Sequence, residues 1–93
     1  PAALNLDISS VLEITLAEAS PEAVTAFYEL VKRTPAILDM YKTTGNADFI
    51  LKVAVAELSD LSALISDLAA HKTVGHIRTA VVLERLKEDG VWL

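Results

Sequence analysis

Cysteine is absent from this chain of 93 residues, so disulfides and thiolate chemistry are excluded and the fold must hold by packing alone. That absence fits a reducing cytoplasm. Glycine is scarce, and Gly45, Gly75 and Gly90 stand alone, which leaves no glycine-rich loop to cradle a phosphate. Basic residues number 8 against 13 acidic ones, giving a formal charge of −5. They are scattered rather than striped along one helix, so this chain by itself should repel nucleic acid. No apolar run approaches the ~20 residues that cross a bilayer, because Glu13, Lys42, Lys52 and Arg85 interrupt the candidates. A basic stretch followed by an apolar core, the mark of a signal peptide, is missing as well.

What the chain has in surplus is hydrophobicity: 53% of its residues, against roughly 45–50% in an average protein, with a mean hydropathy of +0.43. A domain of this size can bury about 60–65% of its unfolded surface. The chain is therefore read as one domain, residues 1–93, and its excess apolar surface is expected to serve subunit association.

Alternation of Leu12, Ile14 and Leu16 with Glu13 and Thr15 predicts a strand over Val11 to Glu18. Ser20-Pro21-Glu22 supplies a helix cap, a first-turn proline and an acid at the positive helix end. The helix carries Ala23, Val24, Phe27, Leu30 and Val31 at helical spacing and stops at Thr34-Pro35. "AILDMYKT" and "FILKVAVAEL", joined by a turn containing Gly45 and Asn46, predict an antiparallel hairpin. Ser59 or Asp60 is expected to cap a second helix, striped with Leu61, Leu64, Ile65 and Leu68 and ending near His71. Val74-Gly75 reads as a break before a fourth strand, His76 to Leu86. Residues 1–9 read as a linker-like segment and 87–93 as a tail with no clear period.

The order strand, helix, strand, strand, helix, strand predicts an α+β, ferredoxin-like βαββαβ sandwich with both helices on one face of an antiparallel four-stranded sheet. Both sheet faces carry apolar residues, yet two helices cover only one. The other is expected to pack on a second copy, as in a dimeric α+β barrel.

Residues that could carry chemistry are few. No nucleophile motif is present. His71 and His76 lie five apart across the second helix-to-strand junction, but no second ligand pair accompanies them, so no metal or other cofactor is expected. Glu13, Glu18, Asp60 and Asp67 form no carboxylate dyad by spacing and read as surface charges. Trp92 in "GVWL" reads either as part of a loose end or as an apolar tail docking on a neighbour.

The turn "TTGNAD", Thr43 to Asp48, carries more polarity than a hairpin needs. Gly45 and Asn46 suffice for backbone geometry. Thr43, Thr44 and Asp48 add hydroxyl and carboxylate groups, which serve either local backbone groups or a small zwitterion: Thr44 donating to a carboxylate, Asp48 accepting from an ammonium.

Three stretches together carry a family resemblance. "PAALNLDISSVLEITL", "TPAILDMYKTTGNADFILKV" with its Thr-Gly-x-x-Asp turn, and "HIRTAVVLERLK" with Arg-Thr-x-x-x-Leu resemble the C-terminal domain of Lrp/AsnC (feast/famine) transcription regulators. The resemblance implies effector sensing and oligomerisation on the ferredoxin-like fold, with a homodimer assembling further into octamers or other rings. It implies an amino acid or related small metabolite bound between subunits by Thr44, Gly45, Asn46 and Asp48 with Thr79 and Val81, Asp48 being the ammonium partner. Asn46 stands where many members have aspartate, and Lys72-Thr73 replaces a common Pro-Gly. The family's DNA-binding half is an N-terminal helix-turn-helix, for which this chain has no candidate, so the chain is expected to be a domain of a longer protein.

The leading expectation is thus a non-catalytic regulatory domain. The alternatives are a small dimeric α+β-barrel enzyme, which requires a histidine or acid facing a cavity, and a ligand-free structural module for oligomerisation.

Overall fold

A computed structural model describes residues 6–93. Residues 1–5, which hold most of the expected linker-like segment, lie outside the described residues. Four strands form the main sheet: β1 (Ile8–Leu16), β2 (Ile37–Lys42), β3 (Phe49–Val55) and β4 (Val74–Val81), in the order β2-β3-β1-β4. All three pairings are antiparallel. With α1 (Pro21–Lys32) and α2 (Leu58–Ala70) this is the ferredoxin-like arrangement.

The period-two pattern of β1 sorts its residues cleanly. Leu12, Ile14 and Leu16 are buried, while Val11, Glu13 and Thr15 are only half-buried on the opposite face. The buried row packs with Phe49, Leu51, Val53 and Val55 of β3, Phe27 of α1, and Leu61, Leu64 and Leu68 of α2. Each such side chain removed from water contributes about 1.5–3 kcal/mol. Ser10 shares the buried row and stays satisfied because its hydroxyl donates to the Ala80 carbonyl at 2.9 Å.

Helix α1 starts as its sequence predicts: the Ser20 hydroxyl accepts the Ala23 N–H at 3.1 Å and Pro21 opens the first turn. Helix α2 does not start where expected. Its N-cap is Glu57, with Asp60 inside the first turn rather than at the cap. The Asp60 carboxylate reaches back to accept the Glu57 N–H at 3.2 Å, as the third helical residue does in a capping box.

The strand ends also differ from the sequence reading. β1 begins at Ile8, inside the segment read as linker, and stops at Leu16 rather than Glu18. β4 spans Val74–Val81, so Val74-Gly75 is strand and not a break, and 83–86 leave the sheet. Gly75 sits inside the strand for a steric reason: a Cβ there would lie 3.0 Å from both the Cα and N of Ala17. The ladder ends with Val81 facing Ser10 and the Val82 N–H donating to the Ser9 carbonyl at 2.8 Å. The tail is ordered as a hairpin, β5 (Lys87–Glu88) with β6 (Val91–Trp92). Asp89 and Gly90 turn it at φ 50° and 78°, the pair of positive angles that a primed two-residue turn requires.

Candidate functional site

The β2–β3 connection runs from Thr43 to Asp48, and Gly45 takes φ 100°, a region that L side chains avoid. The Thr43 N–H donates to the Asp48 carbonyl at 3.3 Å, and the Thr43 hydroxyl to the Ala47 carbonyl at 3.5 Å. Across the sheet end, the Thr15 hydroxyl reaches the Asn46 carbonyl at 3.4 Å. Thr44, Gly45 and Asn46 are exposed at the tip, whereas Asp48 is half-buried.

Asp48 is held from two sides. Its N–H donates to the Ile14 carbonyl at 2.8 Å, continuing the β1–β3 ladder by one residue. Its Oδ2 accepts the Leu16 N–H at 2.7 Å, a short charge-assisted bond. Leu16 lies at an irregularity, since β1 pairs Thr15 with His76 but Leu16 with Val74, leaving Gly75 as the extra residue. The next N–H along, that of Ala17, is taken by the Thr73 carbonyl at 2.9 Å. The bulge thus divides two successive donors of one strand between the β2–β3 turn and the α2–β4 junction.

Thr79 and Val81 stand elsewhere. They face Leu12 and Ser10 of β1, four and six residues back from Leu16. At ~3.3 Å per residue that places them about 13 and 20 Å along the strand from the Asp48 level. Both are exposed on the edge strand β4. A single chain therefore brings Thr44, Gly45, Asn46 and Asp48 together and leaves Thr79 and Val81 apart from them.

Neither histidine lines either of the two main surface clefts. The Thr73 N–H donates to Nδ1 of His71 at 3.3 Å, which makes Nδ1 an acceptor, and the buried Thr73 hydroxyl lies 2.7 Å from the same nitrogen. His76 stands exposed in β4, opposite Thr15. Among the described residues no group of three or more His, Cys, Asp or Glu side chains could hold a metal ion. Among the described residues two clefts stand out on the surface. One of about 380 Å³ is lined by Asp7, Ser9, the segment Val82–Arg85 and Leu93. The other, about 250 Å³, is lined by Ala17, Glu18, Glu22, Ala23, Ala26, Lys72 and Thr73.

Residue spacing could not have revealed the roles of Leu16 and Gly75, because both act through backbone groups. Only the lone glycine after Val74 hinted that two backbones approach closely there.

Comparison with known proteins is consistent across sequence and structure. The model of the Lrp/AsnC ligand binding domain matches residues 9–92. The HTH-type transcriptional regulator AldR of Mycolicibacterium smegmatis is 27% identical over 88 residues, 94% of this chain and 52% of that protein. The leucine-responsive regulatory protein of Escherichia coli is 28% identical over 90 residues, 96% of this chain and 55% of that protein. This chain thus spans about half the length of these relatives. A crystal structure of a transcriptional regulator from Neisseria meningitidis in complex with L-methionine superimposes with a TM-score of 0.86 at 22% identity, covering 100% of this chain and 64% of that one.

Proposed function

The chain belongs to the Lrp/AsnC ligand-binding domain family, and from that premise we propose that it is the effector-binding and oligomerisation domain of a transcription regulator. It senses an amino acid or related metabolite between subunits. The observation that carries this reading is the β2–β3 turn: Thr44, Gly45 and Asn46 are exposed at a sheet end, on a frame fixed by Asp48. Hydroxyl, amide, backbone and carboxylate groups there match the needs of a zwitterion. Since Thr79 and Val81 lie about 13 and 20 Å away in the same chain, a pocket containing both sets requires a second copy. L-Methionine, the ligand of the Neisseria meningitidis regulator, is the first candidate to try.

The second copy has somewhere to sit. On the sheet face turned away from the helices, Val11 lies between Lys52 and Ala80, and Glu13 between Ile50 and Arg78. Beyond it Leu83, Trp92 and Leu93 are 96%, 73% and 72% exposed. Covering these surfaces in a homodimer, with dimers assembling into octamers or other rings, would account for the chain's apolar surplus. DNA would be contacted through a separate N-terminal domain, in the cytoplasm, and the effector would act by binding one assembly more tightly than another. No catalytic step is assigned.

Isothermal titration of the chain with single amino acids, beginning with methionine and paired with mass measurement by ultracentrifugation, tests the proposal. Heat of binding together with an altered mass distribution is expected for at least one of them. An oligomer that binds none of them leaves only assembly, and a protein that stays monomeric at micromolar concentration removes the subunit-interface site as well.

A further inference from the structure

We infer that Asp48 is a positioning residue as much as a charge: its carboxylate ties the β2–β3 turn to the bulge of β1 and so sets where Thr44, Gly45 and Asn46 stand. The inference rests on the proposed metabolite site for its functional meaning, but its structural half stands independently. Oδ2 is already committed, accepting the Leu16 N–H at 2.7 Å. That donor belongs to the last residue of the central strand, where the register shifts and Gly75 is left over. The bulge supplies the N–H, and the half-buried carboxylate turns inward to take it. Each carboxylate oxygen can accept more than one bond, so the Leu16 contact orients the group without exhausting it.

The Leu16 seat is fixed in turn from the opposite side. The Thr73 carbonyl accepts the Ala17 N–H at 2.9 Å, and Gly75 lies so close to Ala17 that an added Cβ would be 3.0 Å from its backbone. A path of backbone contacts therefore runs from the α2–β4 junction through Leu16–Ala17 to Asp48. It gives the turn one position on the sheet end, although its tip is exposed. A ligand meeting Thr44, Gly45 and Asn46 would find them already placed, without bearing the entropy of ordering the loop.

Two substitutions separate position from charge. In Asp48→Asn the amide oxygen can still accept the Leu16 N–H while the charge is gone; in Asp48→Ala both are lost. Amide hydrogen exchange of Leu16, read by NMR on the unliganded protein, should accelerate on the order of 10- to 100-fold in D48A and stay within about threefold of wild type in D48N. Methionine titration, or titration with whichever amino acid binds, should rank affinities wild type, then D48N, then D48A, with the native assembly mass kept. If D48A leaves Leu16 exchange unchanged, or D48N accelerates it equally, the positioning role is overturned. If the two variants separate in exchange but bind equally poorly, charge alone governs affinity and the functional half of the inference fails. Should no amino acid bind wild-type protein, the sensing proposal falls while the exchange result still decides whether Asp48 braces the turn.

Discussion

The chain makes two hairpins that turn on a glycine at positive φ, Gly45 at 100° and Gly90 at 78°, and they differ in what stands behind the turn. Behind Gly45, β3 opens with buried Phe49, whose ring stacks on Phe27 at 5.4 Å, and Asp48 is bonded to β1. Behind Gly90 there are ladders two residues long, exposed Val91 and Trp92, and Lys87 over the Trp92 ring at 4.8 Å. A short ladder of this kind is marginal on its own in water. Turn chemistry alone thus says little about how firmly a turn is held; the contacts on its flanks decide that.

The contrast should be plainest in unfolding measurements made at one fixed protein concentration, since association would otherwise shift the midpoint. Phe49→Ala is expected to cost about 3–5 kcal/mol in urea denaturation, against about 0.5 kcal/mol or less for Val91→Ala. A large loss at Val91 would show the second hairpin to be part of the folded core. Gly75→Ala should cost about 1–3 kcal/mol through overpacking against Ala17, with NMR shifts concentrated at Leu16 and Ala17. A neutral result would mean that the bulge yields and does not fix the first hairpin. Gly45→Ala should cost about 1–2 kcal/mol because of its left-handed backbone, whereas Gly90→Ala should loosen only the tail and leave the main transition in place. Most local of all, Lys87→Ala should remove about 0.5–1 kcal/mol of cation–π contact within the tail, visible in Trp92 fluorescence and absent from the unfolding midpoint.

Much of this architecture was legible in the residues. Leu12, Ile14 and Leu16 announce one buried strand face, and Ser20-Pro21 announces a helix start, because both signals are local and physically direct. The start of α2 was misplaced because Glu57 is an unusual cap and the better capping residues, Ser59 and Asp60, lie just inside the helix. β4 was shifted because a glycine inside a strand reads as a break unless the facing Ala17 backbone is known. Its end was read too late, at Leu86: "VLERL" has strand-like residues, yet β1 begins at Ile8, whose register reaches only to the level of Leu83. The tail did contain a hairpin signal, Asp89-Gly90, obscured by strands too short to show a period. At the site, the turn itself was readable. The bond from the Leu16 N–H to Asp48 was not, because Leu16 lies 32 residues away and offers only a backbone group.

The central place of β1 bears on how the chain is made as well as how it stands. Ser10 closes its contact with Ala80 across 70 residues, and β1 is flanked by β3 and β4 rather than by a sequence neighbour. β3 must be synthesised before β1 can pair on one side, and β4 before it can pair on the other. At ~5–20 residues per second on the ribosome, β1 waits roughly 4–14 s for its last partner. Until then the edge of β1 that faces β4 presents unpaired N–H and C=O groups, so this domain depends on late-arriving β4 to close an edge open to other chains.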